Sequence, residues 1–251
     1  MSRRIFFGDI HGHYDGLIRL VAMISPAQQD QLYFVGDLID RGPKSAQVVE
    51  FVRRGNHACV LGNHEHLLLN AFPDENPHLS AFQGWLHSGG QPTLTSYPST
   101  EALLEHVDWL KTLPLYLDLG DVFVVHAGLD PKKALGAQTK MDFCWIRDAF
   151  HRHSQRVFED KCIITGHTIT FTLPQVQPGQ IARGPGWLGI DTGGYHPKSG
   201  WLTALDFDHG LVYQVNTITQ AKRMATLESL VVDVDPANVK PRKQKHFLVM
   251  H

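Results

Sequence analysis

An α/β fold is expected from three features of this 251-residue chain: short apolar runs alternating with amphipathic stretches in its first half, a polar ligand-type residue just past several of those runs, and an alternating two-stranded ending. Ile5 to Phe7, Leu32 to Val35 and Ala58 to Leu61 read as strands. Between them, Tyr14 to Ile24 repeats Leu17, Val21 and Ile24 with Leu20 beside them, and Ser45 to Val52 carries Val48, Val49 and Val52, both at helical spacing. Such a β-α-β-α-β order joins parallel strands through right-handed crossovers. From Phe72 to Thr100 prolines and glycines break the rhythm, and the stretch is read as a cap or lid. Thr100 is the expected N-cap of a helix from Glu101 to Leu110, striped by Leu103, Leu104, Val107 and Leu110. Strands return at Val122 to Val125, Cys162 to Thr165 and Trp187 to Ile190. Trp201 to Phe207 and Leu211 to Val215 then pair about an Asp208-His209-Gly210 turn. A parallel beginning with an antiparallel ending implies a mixed sheet or two packed sheets.

The chain is long enough to bury roughly 70–75% of its unfolded surface in one sizeable core, so one domain over residues 1–251 is the default. Within it, the cap-like segment covers about 72–112 and a basic tail about 236–251. A net charge of −2 gives no reason to expect a nucleic-acid or anionic-membrane partner. Cys59, Cys144 and Cys162 lack metal-ligand spacing and read as free thiols of a reducing compartment, which points to the cytoplasm. Only three apolar residues separate Arg4 from Gly8-Asp9, so neither a signal peptide nor a membrane span is expected there. In the tail, Lys240, Arg242, Lys243 and Lys245 read as a solvated terminus, and Phe247 to Met250 is too short to anchor in a membrane but could dock on the domain. Gly184, Gly186, Gly193 and Gly194 lack the Lys-Ser/Thr ending of a phosphate loop and read as turns.

Chemistry concentrates at the strand ends. Gly8-Asp9-Ile10-His11-Gly12, Gly36-Asp37-Leu38-Ile39-Asp40-Arg41-Gly42 and Gly62-Asn63-His64-Glu65 each follow a strand, as do His126-Ala127-Gly128 and Gly166-His167. Open α/β sheets build their sites at such ends. Carboxylates, imidazoles and an Asn carbonyl converging there suit one or two divalent cations of the manganese, iron or zinc kind, and an arginine close by suggests an anionic substrate. Taken singly, Asp9 and Asp37 could be helix caps, Asn63 a turn residue, and His126 and His167 core histidines. Capping, however, asks for neither His11 nor Asn63. Most other histidines, such as His57, His66, His106, His151 and His196, read as surface or packing residues.

The ordered set GDIHG, GDLIDRG, GNHE, HAGL and GH resembles the metal-dependent phosphoprotein phosphatases, the calcineurin-like metallophosphoesterases, and in particular their compact bacterial and phage-type members. The resemblance spans about Ile5 to His167. It extends weakly through Trp85 to Leu94, a WL..GG..TL element, and through Ile190 to Gly194 with Gly200 to Leu205. Ala127 departs from the pattern, where many members have glycine. The resemblance implies two packed mixed sheets flanked by helices, with the metal site at the strand carboxyl ends. It further implies a first metal on Asp9, His11 and Asp37, and a second sharing Asp37 and adding Asn63, His126 and His167. The implied cofactors are two divalent ions, manganese first, with iron or zinc as alternatives. A bridging anion is expected, because two dications roughly 3.5–4 Å apart repel.

By the same resemblance Arg41 and Arg147 would grip phosphate, and His64, oriented by Asp40, would protonate the leaving oxygen while an activated water attacks in line. Surface roles for the two arginines are the bland alternative. A serine/threonine phosphoprotein phosphatase is the expected function, with a phosphorylated protein or peptide as partner and small phosphoesters or nucleotides also open. The rival hydrolase is a dinucleoside tetraphosphatase on the same scaffold. Those enzymes typically carry Ala where Asp40 stands and Asp where Glu65 stands, so both positions favour the phosphatase. A non-catalytic phosphopeptide- or metal-binding module is disfavoured, since a binder has no use for a proton donor such as His64.

Overall fold

Ile5, Phe6 and Phe7 are all fully buried, although successive side chains of a strand point to opposite faces. Both faces of that strand must therefore be covered. The computed structural model, which describes residues 2–241, shows how. The chain runs β1 (Arg4–Phe7), α1 (Tyr14–Ile24), β2 (Gln31–Phe34), α2 (Ser45–Arg54), β3 (Ala58–Cys59), α3 (Asn63–Ala71), α4 (Leu79–Trp85), α5 (Gln91–Ser96), α6 (Thr100–Leu110), β4 (Tyr116–Asp118) and β5 (Val122–Val125). It continues through α7 (Lys140–Trp145), α8 (Asp148–His151), β6 (Cys162–Thr165), β7 (Ile181–Gly184), β8 (Trp187–Gly189), β9 (Trp201–Asp206), β10 (Leu211–Asn216), β11 (Lys222–Thr226), α9 (Leu227–Leu230) and β12 (Val231–Asp233). Two six-stranded sheets result, ordered β11-β10-β9-β1-β2-β3 and β12-β7-β8-β6-β5-β4.

Each sheet is mixed. In the first, β1, β2 and β3 are parallel, while β9, β10 and β11 add antiparallel neighbours. In the second, β5, β6 and β8 are parallel. Side-chain parity then sorts the core into three layers. Phe6, Tyr33, Val124, Ile164, Leu188 and Leu205 meet between the sheets. Ile5, Phe7, Phe34 and Ala204 face outward under α1, α2, α3 and α6, whose Leu17, Val48, Leu68 and Val107 complete that layer. Phe123, Val125 and Ile163 face the other way, against Phe143 and Phe150 of α7 and α8. The all-apolar strands are thus what two covered faces require. The expected fold class holds, and of its two open forms the packed pair of sheets is the one observed.

Residues 79–96 and 100–110 are helical, and α4, α5 and α6 pack on α2 and α3 within the same apolar layer. Leu86–Gly90 forms a π-turn between α4 and α5, with Gly89 at φ 113°. The N-cap of α6 is Ser99 and not Thr100, one residue earlier than expected: its side chain accepts the Ala102 N–H at 3.3 Å. Strands β4, β7, β11 and β12 were not anticipated. They are short edge or near-edge pieces, and β11 alternates exposed and half-buried residues without an apolar face. Gly186 turns β7 into β8 and Gly210 turns β9 into β10, both at positive φ. Of the anticipated tail, Arg242, Lys243, Lys245 and Phe247 to Met250 lie outside the described residues. Among the described residues no helix is long and apolar enough to cross a membrane.

Removing the Ser99 hydroxyl leaves an end N–H of α6 without its acceptor, so Ser99→Ala is expected to lower stability by about 1 kcal/mol. Urea unfolding checks this: the midpoint should fall with an unchanged slope, and an unmoved midpoint would mean that water replaces the cap at no cost.

Candidate metal and phosphate site

Six strand ends meet at one edge of the sandwich, three from each sheet: those of β1, β2 and β3, and those of β5, β6 and β8. Just past them stand Asp9, Asp37, Asn63, His126, His167 and Asp191, all buried. The backbone there is contorted. Five of the nine non-glycine residues at positive φ among the described residues are His11, Asp37, Asp40, Arg41 and His167. Such conformations are costly and persist only where surrounding bonds over-determine them. Here the Asp37 carbonyl accepts the N–H groups of Ile10 and His11 at 3.0 and 2.8 Å, locking the first motif onto the second. Glycine at 166 is required because a Cβ there would lie 2.0 Å from Asp9 Oδ1.

The protonation of the donor set bears on metal binding. His11 Nδ1 lies 2.9 Å from the Ile39 carbonyl and His126 Nδ1 lies 2.7 Å from the Val35 carbonyl. A carbonyl can only accept, so both imidazoles carry their proton on Nδ1 and turn an Nε2 lone pair inward. Burial pushes both rings below the ordinary histidine range, keeping them neutral as ligands require. His11 Nε2 then faces Asp37 Oδ2 at 3.5 Å and Asp9 Oδ2 at 3.9 Å, and His126 Nε2 faces Asp37 Oδ1 at 3.4 Å and Asn63 Oδ1 at 2.9 Å. Acceptors confronting acceptors is an arrangement that a cation resolves, and beside His11 the Arg41 Nη1 already stands 2.6 Å from Nε2. His167, also lowered by burial, sets Nδ1 2.7 Å from the same Asn63 oxygen, and its buried Nε2 has no hydrogen-bond partner.

The carboxylates give the same account. Burial, then the charges of Asp191 and Asp37, push Asp9 well above the usual carboxylate range, a repulsion that bound positive charge would relieve. Burial also acts against ionised Asp37, but its surroundings outweigh that cost and hold this carboxyl well below that range, the His64 backbone N–H donating to Oδ1 at 2.9 Å. Asp37 belongs to both groups of convergent ligand atoms, Asp9/Asp37/His126 and His11/Asp37/His64, which makes it the common member of the cluster, although the groups pair Asp9 with His126 and His11 with His64 and so differ from the partition the resemblance implies. The residues present therefore fit two divalent cations.

His64 presents a different geometry. Its Nδ1 is 2.6 Å from Asp40 Oδ2, and its Nε2 points inward, 4.0 Å from Asp37 Oδ2. Asp40 is fully buried and also accepts from Trp85 Nε1 at 3.0 Å and Thr93 Oγ1 at 2.7 Å. Trp85 and Thr93 come from the segment read as a cap, which thus buttresses His64 from below. Arg41 and Arg147 border an open pocket of about 150 Å³ that Asp37, Asn63, His167, Ile169, Thr172 and Tyr195 also line. Arg147 donates to the His167 carbonyl at 3.1 Å and to Thr168 Oγ1 at 3.0 Å.

Residues 2–191 match the calcineurin-like phosphoesterase family. The chain belongs to that family. It is 40% identical over 131 residues to a symmetrical bis(5'-nucleosyl)-tetraphosphatase of Nitrosococcus oceani, a match covering 50% of this chain and 43% of the relative. An enzyme of the same name from Dechloromonas aromatica is 36% identical over 129 residues, again covering 50% and 43%. The match thus spans less than half the length of these curated relatives. A solved structure provisionally assigned as a diadenosine tetraphosphatase superposes with a TM-score of 0.62 at 24% identity, covering 85% of this chain and 93% of that one, and shows the shared fold.

These relatives overturn the expectation of a serine/threonine phosphoprotein phosphatase acting on phosphorylated protein. The calcineurin-like phosphoesterase scaffold stands, but the two positions used to choose between substrates do not touch the pocket. Asp40 is spent on His64, Trp85 and Thr93. Glu65 is fully buried, and its carboxylate accepts the N–H groups of Asp37, Leu38, Ile39 and Gly62 at 2.8, 2.8, 3.3 and 3.0 Å. Side chains turned away from the open face cannot report what docks on it. Trp85, Thr93, Asp191 and Tyr195 carry no expected role from the sequence, although Trp85, Thr93 and Asp191 lie in the two weaker resemblance segments and Tyr195 directly follows one of them; Glu65 is read there only as a substrate marker, not as the anchor of this loop.

Glu65→Gln replaces one acceptor oxygen with a donor facing backbone N–H groups, leaving buried donors unpaired. A loss of about 1–3 kcal/mol in urea unfolding is expected, together with weaker metal binding as the Asp37 loop loosens. Unchanged stability would mean that the carboxylate is not what holds this loop.

Proposed function

We propose that the protein hydrolyses dinucleoside tetraphosphates symmetrically, releasing two nucleoside diphosphates. The observation that carries this reading is the 36–40% identity to curated symmetrical tetraphosphatases. Charge supports it. A tetraphosphate chain is anionic along its whole length, and two arginines flank the pocket at the metal cluster. Thr172 is shared with a neighbouring cleft of about 480 Å³ that Lys240 also lines, which adds a positive charge beyond the pocket.

In this reading Asp9, His11 and Asp37 hold one divalent ion, and Asp37, Asn63, His126 and His167 the other. Manganese is proposed over magnesium because three nitrogen donors are unusual for the latter. When bound, the pair supplies neutralisation of phosphoryl charge and activation of a water for in-line attack. Arg41 and Arg147 grip the non-bridging oxygens of the phosphoryl group under attack, each through its planar fork of N–H donors. His64, oriented through Nδ1 by Asp40, offers a proton from Nε2 to the bridging oxygen that leaves with the second nucleoside diphosphate. Three free cysteines support a cytoplasmic location.

The deciding assay incubates manganese-loaded protein with diadenosine tetraphosphate and separates products by ion-exchange chromatography. Adenosine diphosphate alone is expected, and dialysis against chelator should abolish it. Asp37→Asn should lower bound manganese below two per chain and collapse turnover with the fold intact. An asymmetric product pair, or full retention of both ions in Asp37→Asn, would overturn the substrate reading or the bridging role respectively.

His64 is tested through the leaving group. A departing nucleoside diphosphate is a stable anion, since a phosphate's second pKa is near 6, whereas phenolate, with a pKa of about 10, needs a proton. His64→Asn should therefore cost about 10²- to 10⁴-fold on phenyl phosphate and clearly less on the tetraphosphate. Equal losses on both would assign His64 to positioning instead.

A further inference from the structure

Arg41 is exposed, and an exposed arginine has many rotamers to lose before it can grip a phosphate. The structure supplies restraint from two sides. On the cap side, the Gly89 carbonyl accepts the Arg41 N–H at 2.9 Å, and a Cβ on Gly89 would stand 3.0 Å from Arg41 Cγ, so the Gly89 backbone borders the stem closely. On the other side, the guanidinium lies 4.0 Å over the ring of Tyr195. That ring is itself pinned, edge-on to the buried His11 ring at 4.7 Å and 81°.

Tyr195 rides on a tightly bonded turn between β8 and β9. Gly193 N–H donates to Asp191 Oδ1 at 3.0 Å, His196 N–H to the Gly193 carbonyl at 3.0 Å, Gly200 N–H to the same carbonyl at 3.1 Å, and Ser199 Oγ to the Thr192 carbonyl at 2.5 Å. The platform is therefore rigid before any ligand arrives.

We infer that Tyr195 is a positioning residue that holds the Arg41 fork over the pocket by stacking on its face, an inference that rests on the reading of that pocket as the phosphoryl site. Face stacking suits the task, because it leaves every in-plane N–H donor of the fork available to phosphate oxygens. A hydrogen-bonding support would consume those donors. Arg41 Nη1 does lie 2.6 Å from His11 Nε2, but that lone pair belongs to the proposed metal set. One lone pair serves one partner at a time, so in the loaded protein the ring of Tyr195 is the support that remains. The hydroxyl plays no part in the stack.

The test is a double-mutant cycle read by calorimetric binding of inorganic phosphate to the manganese-loaded protein, with turnover of diadenosine tetraphosphate and p-nitrophenyl phosphate alongside. Tyr195→Phe keeps the aromatic face and should stay within about twofold of the wild type, whereas Tyr195→Leu keeps apolar bulk without the face and should weaken phosphate binding about tenfold, with metal content and melting temperature unchanged. In an Arg41→Ala background, Tyr195→Leu should cost less than about twofold, since nothing remains to be positioned. An equal loss with or without Arg41, or a loss in Tyr195→Phe matching that of Tyr195→Leu, would overturn the inference. Phosphate binding that follows the cycle while the wild type leaves the tetraphosphate intact would sink the substrate reading and leave the role of Tyr195 standing.

Discussion

One buried carboxylate, that of Glu65, joins the two loops on which the site is built. It receives N–H groups from Asp37, Leu38 and Ile39 after β2 and from Gly62 after β3. Burial, then the nearby Asp37 charge, pushes its carboxyl up to about 8, against the pull of those donors. A group so placed is stabilising only if its bonds are satisfied, and removing one partner exposes the full desolvation cost. The positive φ of Asp37 and the approach of Gly62 to it follow from this anchor, because a Cβ on Gly62 would fall 2.3 Å from Asp37 Oδ1.

A second constraint runs through Asp40. Its fully buried carboxylate gathers His64, Trp85 and Thr93, so helices α4 and α5 are coupled to the orientation of one imidazole. Residues 45 and 53 positions further along the chain thereby fix a group at the metal edge. Polar side chains in that setting favour one arrangement strongly, since any other leaves a buried charge unpaired. The three apolar layers hold the sheets together, and these two carboxylates decide how their ends meet.

The same two residues explain the one functional expectation that failed. Asp40 and Glu65 were weighed as markers of substrate, yet both are structural supports whose atoms face the backbone, His64, Trp85 and Thr93 and not the pocket. Substrate choice belongs to what borders the open face: Arg41, Arg147, Ile169, Thr172 and Tyr195. None of these lies in the Asp/His/Asn ligand pattern itself, and Tyr195 reaches Arg41 across 154 positions of chain.

Strand and helix positions in the first half were legible because period and residue type are local properties. β1, α1, β2 and α2 fall within a residue or two of the expected bounds, and the convergence of Asp9, His11, Asp37, Asn63, His126 and His167 follows from each standing at the end of a parallel strand. Short strands such as β7 and β11 were not legible, since edge pieces need no apolar pattern to pair. The strand pattern alone left one mixed sheet or two packed sheets open, and the family resemblance implied the packed pair; the buttressing role of residues 79–96 and the stack of Tyr195 on Arg41 were settled only by tertiary structure. Each depends on which side chains meet across long chain separations, and that is decided by how buried faces and buried charges find partners together.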